Sequence, residues 1–194
     1  MQTHTITTYS FDELNEDAQR RALEKLYDVN IFDDWYDAVY EDAITCGAIL
    51  GIDIDRIYFS GFSSQGDGAC FEGGYTYAKQ SVKAIKQHAP LDTELHAIAE
   101  RLRDIQRPYF YSLYASVKQR GHYMHEMCTD IEVHNDDCEV SDDTEESLKD
   151  ALRDFMRWIY SSLNDEHDYL TSEEAIIETI TANEYEFTEL GSLA

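Results

Sequence analysis

At 194 residues, with 43% hydrophobic and 12% aromatic content, the chain can bury a real core, which excludes a disordered acidic tail. Forty Asp and Glu stand against fifteen Lys and Arg, a net charge of −25. A charge of that size repels phosphate backbones and anionic membranes, so direct binding to nucleic acid or membrane is disfavoured. Basic proteins, including those that grip nucleic acid, are the favoured partners.

No apolar run approaches the length of a membrane span. The start MQTHTITTYSFDEL lacks the basic and apolar stretches of a signal peptide. A cytoplasmic protein is expected, with Cys46, Cys70, Cys128 and Cys138 reduced.

In chain order, residues 3–9 read as a short strand or extended arm. Ser10 and Glu13 have capping-box spacing ahead of Leu14, Ala18, Ala22 and Leu26, which recur at helical spacing. After a break near Asn30, Trp35, Val39 and Ala43 predict a helix over about 33–46, extended by Ile44 and Cys46 and closed by Gly47. Residues 52–62 and 69–77 read as a hairpin turned at 63–68, where Asp67-Gly68 is the turn signal. Helices are predicted at 79–88 and 92–106, the second carrying Leu95, Ile98, Leu102 and Ile105 between Pro90 and Pro108.

Residues 109–118 and 123–134 predict a second strand pair around Arg120-Gly121-His122. Tyr123, Met127, Ile131 and Val133 share one parity and Glu126, Asp130 and Glu132 the other, as in a sheet with one wet face. An acidic loop, 135–141, leads to a helix over about 142–163 with Leu148, Leu152, Phe155, Ile159 and Leu163 on one side. A last helix, 172–183, is opened by Thr171 and Glu174. The expected fold is α+β: an antiparallel sheet of about four strands flanked by helices, with a helical acidic C-terminal part. The chain reads as one domain, with a helix-and-sheet core over 1–134 and an acidic helical part over 135–194.

The charge is uneven. Residues 130–194 hold twenty acids and three bases, a net of −17, whereas residues 1–129 carry only −8. On the predicted helix, Asp143, Glu146, Asp150 and Asp154 step by three, four and four and share a face. Such a face could imitate a nucleic-acid backbone to a basic groove; the plain alternative is a solvated surface that keeps the protein soluble. Asp136, Asp137, Asp142, Asp143, Glu146 and Asp150 are the candidate partner contacts.

The other chemistry-bearing patterns are weaker. Gly66-x-Gly68 lacks the third glycine and following helix of a dinucleotide fingerprint, because residue 71 is Phe71. His122, His125 and Cys128, near His134 and Cys138, do not converge from a strand, so no metal ligand is assigned. Asp53 and Asp55 begin like a calcium loop, but the twelfth position is Ser64. They read as strand-edge carboxylates rather than a catalytic pair. Trp35, Tyr36 and Tyr40 read as core packing. No catalytic residue and no cofactor is expected.

Phe11-Asp-Glu-Leu14, Ala18, Ala22, Trp35, Glu41-Asp42-Ala43 and Gly47 are similar to the start of a group of small phage and prophage proteins. Ile57-Tyr58-Phe59-Ser60-Gly61-Phe62-Ser63-Ser64-Gln65-Gly66-Asp67-Gly68-Ala69-Cys70-Phe71 resembles their signature. The resemblance spans about residues 8–75, extends at most through the paired strands to 133 and leaves out the acidic end beyond 135; some members carry a label as antitoxin components. It implies a mobile-element setting but no chemistry. Setting and charge together predict a phage-encoded acidic inhibitor of a basic, nucleic-acid-binding host protein, of DNA-mimic or anti-CRISPR type. The alternatives are an antitoxin-like partner that neutralises a cognate toxin, and an enzyme using the Ser60–Gly68 loop with Asp53 or Asp55.

Overall fold

The computed structural model describes residues 7–32 and 34–194. Most of the arm expected at 3–9 lies outside them; within them, Tyr9 forms a two-way backbone bridge with Phe187. The fold is α+β. Helices α1 (Glu16–Lys25), α2 (Asp37–Leu50), α3 (Ser81–His88), α4 (Thr93–Gln106), α5 (Asp142–Leu170) and α6 (Glu173–Ala182) accompany strands β1 (Ile52–Ser60), β2 (Gly68–Thr76), β3 (Tyr114–Gln119) and β4 (Thr129–His134). The strands form one sheet in the order β1-β2-β3-β4, antiparallel throughout.

The chain divides into two compact units, one of Asp37–Asn164 and one of the described residues up to Tyr36 with Asp165–Ala194. The division differs from the composition break at 134/135, because α5 runs unbroken through residue 164 and both chain ends build one unit.

In the terminal unit, Phe11, Leu14, Ala18, Ala22, Ile176, Ile180 and Phe187 form a buried cluster. Phe11 meets Phe187 edge to face at 6.2 Å. The Ser10–Glu13 capping box is present, but it closes a single 3₁₀ turn, Phe11–Glu13. Asn15 then caps α1 by accepting from the Ala18 amide, so the helix begins six residues after Ser10. Likewise Ser172 rather than Thr171 caps α6, its hydroxyl accepting from the Ala175 amide.

The sheet unit is organised by β2. Gly68 to Phe71 are all buried, so this end of the strand is covered on both faces. Phe71 packs edge to face on Phe155 of α5 at 6.1 Å. A Cβ on Gly68 would meet the His125 Cα at 3.0 Å, so the segment before β4 lies against the strand. α5 follows the predicted stripe, since Leu148, Leu152, Phe155, Ile159 and Leu163 are all buried, but it continues seven residues past 163.

Several boundaries move for identifiable reasons. α2 starts at Asp37, leaving Trp35 and Tyr36 in the preceding turn, and Ile44 faces outward. Gly47 is not a cap: it is buried in the helix, where a Cβ would press on Ile54 and the Ile52 carbonyl at 3.1 Å. Gly51, at φ +89°, ends the helix and accepts from the Thr76 amide. Instead of a strand from 109, Arg107–Tyr109 makes a 3₁₀ turn and Phe110 and Tyr111 take left-handed backbone angles. Gln106, fully buried, spans this reversal: its amide donates to the Leu113 carbonyl at 2.7 Å and accepts from the Leu113 amide at 3.0 Å. The strand predicted from 123 begins at Thr129, and Tyr123 and Met127 are exposed; Thr129 and Ile131 point inward while Asp130 and Glu132 face out.

Two stability predictions follow from these contacts. Gln106→Leu leaves the Leu113 amide and carbonyl unpaired, at about 1–3 kcal/mol for each buried orphan. Urea unfolding will show a loss of roughly 2 kcal/mol or more. Burial pushes the Cys70 thiol from 9.0 up to about 12, and the Tyr75 phenol from 10.0 up to about 12. Both groups keep their protons longer folded than unfolded, so stability is complete below about pH 9 and declines between about pH 9 and pH 12. Unfolding midpoints measured across that window will fall, and Cys70→Ala will flatten the start of the decline.

Candidate functional site

The stretch 57–71 ends β1, turns through a loop at residues 61–67 and begins β2. The loop is longer than a two-residue hairpin turn because Asp67 folds back: its Oδ2 accepts from the Ser63 amide at 3.0 Å and the Ser64 amide at 2.6 Å. The loop is anchored by rings, Tyr40 on Phe59, Phe59 on Phe62, and Phe62 on Tyr160, with centroids 5.6–6.3 Å apart. The Tyr160 hydroxyl donates to the Gly61 carbonyl at 3.1 Å. Gly66, at φ +97°, lies beside the Tyr123 ring, and a strand, not a helix, follows. The Asp67 carboxylate serves the loop's own amides, which makes this segment a ring-anchored connection. Asp67→Ala will speed hydrogen exchange at the Ser63 and Ser64 amides and cost about 1 kcal/mol, as losing a helix cap does; Asp67→Asn will retain most of both.

Asp53 and Asp55 are exposed on β1. The register shift between Ile54 and Arg56 makes Asp55 the extra residue of a bulge, which rephases the strand so that both Ile52 and Ile57 are buried. The two carboxylates therefore do not form a regular same-face pair. His125 caps a 3₁₀ turn, its Nδ1 accepting from the Met127 amide at 3.1 Å. The same Nδ1 lies 3.0 Å from a carboxylate oxygen of the neighbouring Glu126. Trp35 lies edge to face with Tyr36 at 5.8 Å and with His167 at 5.7 Å.

The acidic surface is built on the β4–α5 connection. Asn135 Oδ1 accepts from the amides of Asp137 (2.8 Å) and Cys138 (3.0 Å), which fixes the backbone as an Asx turn. The Asn135 side chain also donates to Ser112 at 2.8 Å. Asp136 accepts from the Tyr114 hydroxyl at 2.8 Å, and this bond holds the phenol proton and raises its pKa. Ser141 opens α5: its Oγ bonds Thr144 Oγ1 at 2.9 Å, and Tyr109 reaches both residues. The Ser141 and Thr144 hydroxyls, together with the Ser141 amide, hold down the Tyr109 pKa. Asp142, Asp143 and Glu145 occupy the first helical turn, where each carboxylate complements the positive helix end by about 0.3–1 kcal/mol.

Along α5 the predicted acidic face is not uniformly bare. Lys149 pairs with Glu145 at 2.6 Å and Glu146 at 3.3 Å. Asp150 pairs with Arg153 at 3.3 Å and, more loosely, with Arg101 at 3.7 Å. Asp154 bridges Arg101 and Arg157, and Arg157 continues to Glu126 at 3.1 Å. Of the six candidate contacts, Glu146 and Asp150 thus answer to the protein's own cations. Among the described residues Asp136, Asp137, Asp142 and Asp143, with the neighbouring Glu139, carry no ion pair and are exposed. Sequence spacing foresaw the shared helical face but not the arginines, which arrive from α4 and from one turn along α5 itself.

One group escaped sequence reading. Asp42 and Cys46, one turn apart on α2, meet His88 at the end of α3, with one donor atom of each within 4.8 Å of the others. Burial, with Asp42 and Asp92 adding to it, pushes the Cys46 thiol up to about 12.

No helix among the described residues is long and apolar enough to cross a membrane. A family model described as a domain of unknown function (DUF8835) matches residues 35–173. That span holds the whole sheet unit and the acidic helix, so the acidic stretch belongs to the matched domain rather than being appended to it. No curated protein and no solved structure matches the chain.

Proposed function

The chain belongs to the DUF8835 family, and on the charge of its surface we propose that it is a phage-encoded acidic inhibitor that binds a basic, nucleic-acid-binding host protein and blocks its groove. The observation that carries the reading is the cluster of exposed carboxylates at the start of α5 that, among the described residues, has no paired cation. Asp136, Asp137, Asp142 and Asp143 stand on backbone fixed by Asn135 and Ser141, so they present charge without the entropy cost of ordering a loose loop. A cationic groove gains Coulomb energy there without first breaking an internal ion pair. Glu146 and Asp150 form the flank, where a partner must compete with Lys149, Arg153 and Arg101.

The bonding of Asp67 to two amides of its own loop gives that carboxylate a structural use. The host cytoplasm is the compartment this reading requires.

Charge-led recognition makes association fast and salt-sensitive. Host lysate passed over the immobilised full chain at low and at high salt will yield a basic partner retained only at low salt. Changing Asp136, Asp137, Asp142 and Asp143 together to Asn will abolish capture, whereas Glu146→Gln with Asp150→Asn will weaken it less. Circular dichroism will show all variants helical. A partner held equally at both salt concentrations, or by the fourfold variant, discards charge mimicry.

A further inference from the structure

The group formed by Asp42, Cys46 and His88 has the donor set and spacing of a metal centre. Asp42 and Cys46 are four apart on α2 and so share a face. His88 is the last residue of α3 and brings its ring to the same point. The His88 Nε2 lies 3.6 Å from Asp42 Oδ1, and the Cys46 Sγ lies 3.9 Å from the same oxygen. A tetrahedral zinc ion with ordinary Zn–S, Zn–N and Zn–O bonds sets its donors about 3.3–3.6 Å apart. The two edges are therefore close to bonded values, and the third, within 4.8 Å, closes by rotation of the exposed His88 ring.

A plain ion pair between His88 and Asp42 does not account for the third member. Cys46 is buried, yet its sulfur faces a carboxylate, to which a thiol is only a weak donor. Asp92 stands close by without being available as a ligand. Its two oxygens accept from the Leu95 amide at 2.9 Å and from the Trp158 indole at 2.8 Å. Asp42 and His88 are exposed, which gives an ion a path from solvent, while the sulfur closes the inner side.

We propose that Asp42 Oδ1, Cys46 Sγ and His88 Nε2 bind a zinc-type divalent cation, with a fourth position left to water. Three protein ligands and one open position is the arrangement of zinc sites that bind or activate a small molecule. One thiolate, one imidazole and one carboxylate select zinc or cobalt over magnesium or calcium. On binding, the sulfur–metal bond replaces the S–H bond and the thiol proton passes to solvent. The ion ties α2 to the end of α3.

The test is titration of the chelator-stripped full chain with Co²⁺, followed by displacement with Zn²⁺. The expected result is one equivalent of Co²⁺ with a thiolate-to-cobalt charge-transfer absorption that Zn²⁺ removes. Cys138→Ser will leave the absorption intact and Cys46→Ser will remove it. Because Cys46 is buried, the exposed His88→Gln is the deciding variant. It will keep its far-ultraviolet circular dichroism and lose more affinity than the roughly 10–100-fold cost of removing a ligand's hydrogen-bond partner. No charge-transfer absorption in the unmodified chain, absorption that survives Cys46→Ser, or unchanged affinity in His88→Gln overturns the site.

Discussion

A net charge of −25 has to be held together in every compact form of this chain, and where the few cations go determines what the surface becomes. Four of the fifteen, Arg101, Lys149, Arg153 and Arg157, pair with carboxylates around the middle of α5. Arg101 reaches across from α4 to Asp150 and Asp154, Arg157 links Asp154 to Glu126, and Lys149 gathers Glu145 and Glu146. That network joins α4, α5 and the segment before β4, the segment that covers the buried end of β2. Neutralisation is therefore spent where helices and sheet meet, and the loop ahead of α5 is left to solvent. The contrast between paired helix and bare entry follows from this allocation rather than from the acid spacing alone.

The same segment accounts for the two-sided burial of β2. With His125 against Gly68 and Cys128 beside Cys70, the strand's second face is covered by a 3₁₀ turn instead of a helix layer. Any side chain at residue 68 would press on the His125 backbone. The glycine in the signature motif thus serves packing, and the carboxylate beside it serves the loop. Both features that made the motif conspicuous have structural uses within the sheet unit.

Long periodic elements were legible in the sequence. The stripes of α4 and α5, the antiparallel order and the wet face of β4 all follow from spacing. What was not legible depends on residues distant in the chain. A strand pattern over 109–113 gave way because Gln106 and Leu113 close a reversal that no local pattern encodes. Gly47 looked like a cap, but its lack of a side chain serves contact with Ile54. The bulge at Asp55 hides in a run that alternates acceptably by eye. Among the candidate contacts, the shared helical face was readable and its partial neutralisation by Arg101 was not. The meeting of Asp42, Cys46 and His88 depends on how α2 and α3 pack, so no motif could have shown it.

An open four-stranded sheet leaves two strands with unsatisfied hydrogen-bonding rims, and such rims can recruit strands from other molecules into fibrous stacks. Here β1 presents Asp53, Asp55 and Arg56 with a kink between them, and β4 presents Asp130, Glu132 and His134. A second copy approaching either rim meets like charge on both and a broken register on one. The molecule's acidity thereby acts as a guard against self-templating, a benefit that needs no binding partner.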